Sequence, residues 1–390
     1  MSFGGELPIT GYSMCNSLGR NTDEVAKSLA ASHSGLGEPP FRLPFKTVCG
    51  VVRGELPAPA SRHSDYDTRQ ARIALLTLEG IRPSLDAAVS RWGTRRVALV
   101  IATSTGGIAA SENAYEEFRN SGTVPDGYDF ERQHTFFAFV RLLAEMTGVS
   151  GPCYVVSTAC SSSGKVLGSA QRLIGSGVVD AVLVGGVDSL ALTTLCGFAG
   201  LSVLSPTNCR PFSSERNGMN IGEGGAMLLV ERDGDARALL LGVGESSDAH
   251  HMSTPHPEGL GARSAMLAAL EQACVNSTRV DYINAHGTGT LLNDASEARA
   301  IFDVFGDRVP VSSTKGFTGH MLGAAGATEL LFTIMAIEQG WVPANLGGDP
   351  VDPNVPVKIN LERTRRTCRV AMSTSFGFGG SNAAVIVGVA

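Results

Sequence analysis

Residues 155–165 read VVSTACSSSGK and pass from a valine-rich segment through small side chains into a helical pattern. The β-branched residues of 153–157 indicate a strand, whereas 165–176 has apolar residues at helical spacing and ends after a glycine. A strand that leads directly into a helix is the unit from which parallel α/β sheets are built. The stretch therefore predicts an α/β fold, and its small residues leave space for a ligand to approach the backbone.

The same alternation of apolar strands and helices continues on both sides of this segment. Short Val- and Ile-rich runs predict strands, and 3.6-residue spacing predicts helices. The predicted strands are 96–101, 180–185, 227–231, 238–243, 280–285, 369–373 and 383–387, and the further predicted helices are 262–275, 295–304 and 322–339. Strands that are hydrophobic along their whole length are typical of sheets covered by helices on both faces.

A charged segment at 231–237, ERDGDAR, is the best candidate for a boundary within the chain. The pattern restarts after it, which predicts two similar α/β halves at 1–235 and 236–390, although no residue-level repeat is visible. Two unrelated layers of one large sheet are the alternative. Residues 32–70, rich in Pro, Ser and Gly, and residues 104–135 are expected to be loop insertions, which in compact enzymes commonly form lids or partner contacts.

The composition excludes several classes of protein. Of the 390 residues 43% are hydrophobic and only 17% are charged, so disorder and a coiled coil are excluded. So little charge also implies a large hidden surface, either in a core or against a partner subunit. The net charge of −6 gives no basic footprint for nucleic acid.

Cysteine usage and hydropathy give no sign of a disulfide scaffold, a zinc site or a membrane span. The eight cysteines are scattered and form no CxxC pair. The first residues, Met1 to Glu6, lack the basic and then apolar run of a signal peptide. The most apolar stretch, 181–204, contains Asp188, so we expect buried core rather than a span, no membrane insertion, and a cytoplasmic location.

Cys160 lies where the predicted strand 153–157 meets the predicted helix. The oriented N–H groups of a helix start favour a thiolate, so this cysteine is a candidate nucleophile. A buried structural cysteine among small neighbours is the alternative at this point, and the adjacent serines can be simple helix caps.

Three further glycine-rich loops follow predicted strands. His286 lies in NAHGTGT at 284–290, and Lys315 and His320 lie in STKGFTGH at 313–320. The third loop, STSFGFGGSN at 373–382, offers backbone N–H groups that can bind an oxyanion. A phosphate cradle is the competing interpretation, but the sequence has neither a Walker pattern nor a strand-initial GxGxxG motif.

One cysteine and two histidines at strand ends indicate nucleophilic acyl transfer. A cysteine peptidase needs one histidine with an orienting Asn or Asp, so a second histidine on a similar loop fits that chemistry poorly. Two neutral imidazoles can instead donate hydrogen bonds to one developing enolate oxygen. Decarboxylating carbon–carbon bond formation requires such a pair of donors.

Taken together, the motifs resemble those of the β-ketoacyl-acyl carrier protein synthases of the thiolase superfamily, in the form with one Cys and two His. The matching motifs occur in the family's order and are TACSSS at 158–163, NAHGTGT at 284–290, STKGFTGHMLGAAGATE at 313–329 and STSFGFGGSN at 373–382. The resemblance runs from residue 9 to the C-terminus and is weakest over 32–140. It implies a thiolase fold, with two similar α/β halves in a five-layered α-β-α-β-α arrangement.

The resemblance also implies a role for each matching residue. Cys160 takes the acyl group, and His286 and His320 bind the malonyl thioester and stabilise its enolate. Lys315 organises the charges at the site, and the backbone N–H groups of Cys160 and Phe376 form the oxyanion hole. Supporting residues are Asp294, Glu297 and Glu329, and substrate-binding residues are Ser253, Thr288, Thr290, Phe376 and Phe378.

The implied reaction is the decarboxylative Claisen condensation of malonyl-acyl carrier protein with an enzyme-bound acyl thioester, in fatty-acid or polyketide chain elongation. The implied partner is acyl carrier protein, whose phosphopantetheine arm belongs to the substrate, so neither a protein-bound cofactor nor a metal is expected. A homodimer is expected, with a heterodimer as the alternative. Arg62, Arg69 and Arg72 are candidates for docking the acidic carrier protein, by their location alone.

Two related functions are alternatives to this interpretation, and the sequence departs from the family pattern in two places. A chain-length-factor partner normally lacks the nucleophile, and a CoA-dependent thiolase generally has a second cysteine where this chain has Phe376. Lys165, beside the nucleophile segment, is expected either to assist the thiolate or acyl pocket or to point away. Residues 21–25 and 104–106 resemble ketosynthases of aryl-polyene pathways, with ordinary fatty-acid elongation as the alternative.

Overall fold

The computed structural model describes residues 5–390, in which an eleven-stranded mixed sheet carries helices on both faces. Residues 1–4, on which the signal-peptide expectation partly rests, lie outside the described residues. The strands are β1 (Leu7–Cys15), β2 (Leu36–Gly37), β3 (Cys49–Gly50), β4 (Val97–Ala102), β5 (Cys153–Val156), β6 (Ala181–Asp188), β7 (Ile221–Gly222), β8 (Gly224–Glu231), β9 (Ala238–Ser247), β10 (Tyr282–Asn284), β11 (Pro310–Ser312), β12 (Trp341–Val342), β13 (Lys358–Ile359), β14 (Thr364–Arg365), β15 (Val370–Gly377) and β16 (Ser381–Gly388). The helices are α1 (Thr22–Ala30), α2 (Arg69–Trp92), α3 (Ile108–Ser121), α4 (Phe130–Gln133), α5 (Ala138–Thr147), α6 (Ser162–Gly175), α7 (Leu192–Gly200), α8 (Leu260–Gln272), α9 (Leu291–Phe305), α10 (Lys315–Thr318) and α11 (Ala325–Gln339).

The strand order of the large sheet, β13-β11-β10-β15-β16-β9-β1-β8-β6-β4-β5, divides into two groups that meet where β1 pairs with β9. From its outer edge inward, the group β5-β4-β6-β8-β1 makes two parallel and then two antiparallel pairings. The group β11-β10-β15-β16-β9 repeats that order. The two similar halves expected from the sequence are therefore present, while the boundary at 235/236 stays a prediction.

Helices arrange the strands into five layers. Helices α2 and α5 cover the outer face of the N-terminal strands, and α8 with α9 covers that of the C-terminal strands. Helices α6 and α11 lie between the two groups and contact strands of both. This is the α-β-α-β-α arrangement that the resemblance implied.

The two central helices approach each other closely because both carry glycine where they cross. A Cβ added at Gly326 of α11 would lie 3.0 Å from the Gly164 nitrogen and 3.1 Å from Ser163 Oγ, both in α6. Every residue of α11 from Ala325 to Ala336 is buried. The Gly and Ala spacing near residue 326 therefore marks tight packing, and it fixes the position of α6, the helix that follows the nucleophile.

The prediction of a loop insertion was wrong for much of 104–135. This segment contains α3 and α4, and α3 ends at Gly122, whose φ of 79° lies in the left-handed region that favours glycine. Helix α3 buries only Ala114 within the described chain, which explains why its sequence shows little apolar periodicity. Residues 32–70 match the expectation better, because only the two-residue strands β2 and β3 and a short 3-10 helix precede α2.

The apolar stretch 181–204 is only partly core. Strand β6 is buried along its whole length, but of the α7 side chains only Leu195 is buried by the described residues. Leu192 and Leu201 are 38% and 54% exposed. High hydropathy indicates that a segment is to be buried. It does not indicate whether the same chain or another chain buries it. Within residues 5–390 no helix is both long and apolar enough to cross a membrane, and the cytoplasmic location stays a prediction.

Candidate active site

The catalytic candidates come from both halves of the chain and meet at one place. Cys160 follows β5, His286 follows β10, His320 lies beyond β11, and Phe376 lies near the end of β15. Ligand sites of α/β sheets form outside the carboxyl ends of the strands, where loops are free to converge. The Cys160 sulfur and one ring nitrogen from each histidine lie within 4.8 Å of one another. The structure therefore brings together the three residues that the sequence singled out for nucleophilic chemistry.

The turn that presents the nucleophile has a strained backbone. Ala159 has a φ of +54°, in the left-handed region that residues with a Cβ rarely adopt. Its carbonyl oxygen accepts hydrogen bonds from the Ser162 N–H at 3.1 Å and from the Ser104 hydroxyl at 3.2 Å. Strain of this kind persists only where surrounding contacts hold it, and it is common at preorganised active sites.

The Cys160 side chain is buried, and its thiol is protonated at rest. Burial raises the pKa of Cys160 to about 11, although Lys315 and the N–H groups of Phe378 and of Cys160 itself act in the opposite direction. Burial therefore outweighs the favourable dipoles of the helix start, and the neutral thiol is favoured over the thiolate. The resemblance implied the N–H of Phe376 as the second oxyanion donor, whereas the folded loop brings the N–H of Phe378 to the sulfur.

His286 is fixed through its backbone and through one ring nitrogen. Its N–H donates to Glu297 at 2.7 Å and to the Thr374 hydroxyl at 3.1 Å. The Lys315 ammonium donates to the His286 carbonyl at 2.5 Å and lies 3.3 Å from Nδ1. A charged lysine can only donate, so Nδ1 is the acceptor and the ring proton lies on Nε2.

Lys315 is a fully buried cation that sets the charge balance of the site. It forms an ion pair with Glu329 of α11, whose second carboxylate oxygen has no hydrogen-bond partner among the described residues. Burial raises the pKa of Glu329 to about 7, with Lys315 acting in the opposite direction. Burial, with Lys315 and His320 as further causes, holds the pKa of His286 well below its usual value. The site therefore keeps His286 neutral at pH 7.

His320 has the same tautomer by a different route. The Leu322 N–H donates to Nδ1 at 3.2 Å, so the ring proton lies on Nε2, which has no partner within the described chain. Burial, and then Lys315, hold the pKa of His320 well below its usual value. Both imidazoles are therefore neutral, and each carries its one proton on Nε2.

These tautomers decide what the cluster can bind. Cys160, His286 and His320 lie close enough together to hold a metal ion. A metal requires an unprotonated ring nitrogen, whereas here each Nδ1 already accepts a hydrogen bond and each Nε2 carries the proton. Two N–H donors beside a thiol suit a developing negative oxygen. The arrangement therefore favours an oxyanion over a metal ion.

A mainly apolar cavity of about 260 Å³ opens onto the three side chains. Every residue implied at the substrate lines it, namely Ser253, Thr288, Thr290, Phe376 and Phe378. The sequence analysis missed Phe198, Leu291 and Leu292, which also line the cavity. The sequence could have indicated the two leucines, since they follow NAHGTGT directly. In the structure each is 61% exposed at the start of α9.

The predicted acids Asp294 and Glu297 support the His286 loop from behind and do not line the cavity. Asp294 accepts hydrogen bonds from the N–H groups of Phe212 at 2.8 Å and of Gly289 at 3.1 Å. Glu297 accepts the Gly287 N–H at 2.7 Å, and burial raises the pKa of Glu297 to about 7. Their carboxylates satisfy buried backbone donors and thereby fix the loop.

Lys165 is not among the residues that line the cavity around the nucleophile. Its ammonium lies 3.7 Å from Glu245 on β9. Of the arginines considered for carrier docking, Arg69 and Arg72 are held in ion pairs with acids of this chain, which makes them poor docking groups. The docking role of Arg62 stays a prediction.

Comparisons find relatives along nearly the whole chain. The profile of the β-ketoacyl synthase N-terminal domain matches residues 6–236, and that of the C-terminal domain matches residues 237–349. Nodulation protein E of Rhizobium meliloti is 33% identical, over 96% of this chain and 97% of that protein. The 3-oxoacyl-[acyl-carrier-protein] synthase 2 of Vibrio cholerae serotype O1 is 30% identical, over 97% of each.

Solved structures give the same picture in three dimensions. A ketosynthase in complex with its chain length factor, from Xenorhabdus doucetiae, has a TM-score of 0.93 and 38% identity, over 100% of this chain and 98% of that one. The ishigamide ketosynthase/chain length factor has a TM-score of 0.92 and 26% identity, over 99% of this chain and 100% of that one. The similarity therefore includes both halves and all four site loops.

Proposed function

The chain belongs to the β-ketoacyl synthase family, and we propose that its Cys160, His286 and His320 carry out the reaction of that family. It is an acyltransferase, and it catalyses the decarboxylative Claisen condensation of malonyl-acyl carrier protein with an enzyme-bound acyl thioester. One observation supports the residue assignment above the others. Two neutral imidazoles, each protonated on Nε2, lie beside a buried cysteine in a cavity.

In the acylation half-reaction, the Cys160 sulfur attacks the carbonyl carbon of the acyl-carrier thioester. The new C–S bond forms as the bond to the carrier sulfur breaks, and the thiol proton passes to the departing thiolate. Because burial raises the pKa of Cys160 to about 11, the sulfur loses this proton during the attack and not before it. We assign the negative oxygen of the tetrahedral intermediate to the N–H groups of Cys160 and Phe378, because these are the backbone donors that the structure brings to the sulfur. The phosphopantetheine arm belongs to the carrier, so the assignment requires no protein-bound cofactor.

In the condensation half-reaction, the malonyl thioester oxygen accepts hydrogen bonds from the Nε2–H groups of His286 and His320. Loss of CO₂ breaks the carbon–carbon bond, and its electron pair becomes the enolate that the two donors stabilise. The enolate carbon attacks the acyl carbonyl on Cys160, and the departing sulfur regains a proton from solvent. Neutral imidazoles suit this step, since an imidazolium would also stabilise the malonyl carboxylate in the ground state.

The assignment is tested by replacing the nucleophile. Cys160→Ala is expected to abolish acyl-chain elongation, and retained elongation would contradict the mechanism. Cys160→Gln is expected to lose condensation while keeping malonyl decarboxylation, because both histidines remain. Activity with malonyl-carrier protein, compared with acetoacetyl-CoA, separates this function from that of a CoA-dependent thiolase.

We further propose that the chain pairs with a second ketosynthase-fold subunit through the free edge of β5 together with the exposed apolar side chains of α3 and α7, such as Phe118 and Leu192. This strand is the last of the large sheet, with β4 on one side and a free edge on the other within the described chain. Unpaired edges are the usual place for a second chain to add. A homodimer is the expected assembly. The similarity to a ketosynthase found with its chain length factor makes a heterodimer the competing one, and co-expression followed by native mass spectrometry distinguishes them.

We propose a specialised polyene pathway, of the aryl-polyene type, over ordinary fatty-acid elongation. The support is the resemblance of residues 21–25 and 104–106 to such ketosynthases, together with the whole-chain similarity to a ketosynthase that works with a chain length factor. A faster transfer of unsaturated or aryl acyl groups than of saturated ones to Cys160 is the expected result. Equal or faster transfer of saturated groups would favour fatty-acid elongation.

A further inference from the structure

Asp188 is a buried carboxylate at the end of β6 that lies outside the cavity. Its Oδ1 accepts hydrogen bonds from the Thr103 hydroxyl at 2.6 Å, and from the N–H and hydroxyl of Thr105 at 3.0 and 2.8 Å. The Ser104 N–H is shared between both oxygens at 3.0 Å, and Oδ2 accepts the Gly323 N–H at 2.7 Å. No side-chain cation within residues 5–390 forms an ion pair with Asp188. Neutral donors from two loops therefore solvate the carboxylate.

The first of these loops leads to the nucleophile. Ser104, whose N–H is bound by Asp188, uses its own hydroxyl to donate to the Ala159 carbonyl at 3.2 Å. Ala159 is the strained residue immediately before Cys160. The position of the 103–105 loop therefore helps to hold the conformation that presents the sulfur.

The second loop leads to one of the two imidazoles. Leu322, directly before Gly323, has a φ of +51° and donates its N–H to His320 Nδ1. The loops are also in direct contact, since a Cβ added at Gly323 would lie 2.7 Å from the Ser104 nitrogen. Asp188 thus binds the residue that follows the strained Leu322, and this strained residue sets the tautomer of His320.

We propose that Asp188 is a positioning residue, which aligns the Cys160 turn and the His320 ring by binding the 103–105 loop with one oxygen and Gly323 with the other. The inference rests on the proposed roles of Cys160 and His320. It goes beyond them by assigning the relative position of nucleophile and enolate donor to a side chain that touches neither.

Asp188→Asn separates the two contacts. An amide has only one oxygen, and this oxygen is expected to take the side where most donors lie, toward the 103–105 loop. The NH₂ group of the asparagine then faces the Gly323 N–H, so that two hydrogen-bond donors oppose each other. The Leu322 segment is then released, and part of the His320 population carries its proton on Nδ1. Malonyl decarboxylation is expected to fall about tenfold, less than the loss of a whole oxyanion donor, while acylation of Cys160 stays within twofold of the unmutated enzyme.

Asp180→Asn is the matched control. Asp180 directly precedes the other end of β6, is also buried, and pairs with Arg96 and Arg232 far along the strand from both loops. The substitution removes a charge of the same kind from beside the opposite end of the same strand. It is expected to lower thermal stability without changing the ratio of decarboxylation to acylation.

Two readouts decide between positioning and general destabilisation. Decarboxylation is measured in the Cys160→Gln background, and acylation with the native cysteine. Nitrogen-15 spectra of histidine-labelled protein, with the His320 signal assigned through His320→Asn, report the tautomer independently of activity. Two results together support the assignment. His320 shows an Nδ1–H signal in Asp188→Asn and not in Asp180→Asn, and Asp188→Asn loses decarboxylation while it keeps acylation. An unchanged tautomer, or equal losses in both half-reactions, would overturn it, and absence of decarboxylation in the Cys160→Gln parent would instead count against the proposed catalytic roles.

Discussion

Helices α11 and α7 are both strongly apolar, yet they occupy opposite environments. Helix α11 lies between the two groups of strands, is buried from Ala325 to Ala336, and carries Glu329 to the site. Helix α7 lies at the surface, and the described chain buries only its Leu195. One apolar helix thus completes the chain's own core, and the other needs cover from outside. The difference suggests that the core determines the chemistry, while the uncovered surface determines the partner.

The largest expected effect comes from removing the cation that α11 neutralises. Lys315→Met leaves Glu329 unpaired and frees Nδ1 of His286, so condensation is expected to fall about 100-fold. Because Lys315 helps to lower the pKa of His286, its loss raises that pKa, and the imidazole is protonated at a higher pH. The acidic limb of the decarboxylation profile is therefore expected to move to higher pH, as measured with malonyl-carrier protein.

Lys165→Met provides the control for this substitution. Lys165 is one of the chain's five lysines, and its ammonium lies beside Glu245 and outside the cavity. Condensation within twofold of the unmutated enzyme and an unshifted pH profile are expected. A loss as large as that of Lys315→Met would show that the effect does not depend on the buried pair of Lys315 and Glu329.

A pair of glycine substitutions compares how tightly α11 and α7 are packed, with the free energy of unfolding as the measure. In α11, Gly326→Ala places a Cβ 2.7 Å from Ser375 Oγ. The resulting overpacking is expected to lower the free energy of unfolding by about 1–3 kcal/mol. Gly197→Ala in α7 meets no atom within 4 Å, so improved helix propensity is expected to raise it by up to about 1 kcal/mol. Denaturant unfolding of both variants checks the signs, and equal effects would show that α11 is no more tightly packed than α7.

The smallest expected effect on the chemistry comes from the uncovered surface. Phe118 of α3, the helix that packs beside α7, is 42% exposed. Phe118→Ser is expected to weaken association with the second subunit at least tenfold, while acylation of Cys160 in each chain stays within twofold. Glu116→Ser, on the same exposed helix, is the control. Native mass spectrometry over a dilution series measures the association, and unchanged association in Phe118→Ser would show that this surface is not the covered one.

The sequence was most informative where function requires a particular residue in a particular loop. Cys160, His286 and His320 could be recognised because glycines and small residues surround each of them at a strand end. The contacts of Asp188 could not, because its partners at 103–105 and 323 are far apart in the chain and meet only through the sheet. Helix α3 was missed for a related reason: its exposed polar surface leaves no apolar stripe to detect.

The resting state of the nucleophile was also beyond the sequence. The position of Cys160 near a helix start favours a thiolate, whereas complete folding buries the sulfur and raises the pKa of Cys160 to about 11. Burial depends on loops from separate parts of the chain, which bring His286, His320 and the Phe378 N–H to the sulfur.

The most direct test of the account is the mass of the Cys160 peptide after incubation with acyl-carrier thioesters, before and after malonyl-carrier protein is added. The account expects an acyl adduct on Cys160 that disappears on addition of malonyl-carrier protein, as β-ketoacyl-carrier protein and CO₂ form in equal amounts. In His320→Asn the adduct should form and then persist. An acyl adduct on another cysteine, or condensation without an adduct on Cys160, would contradict it.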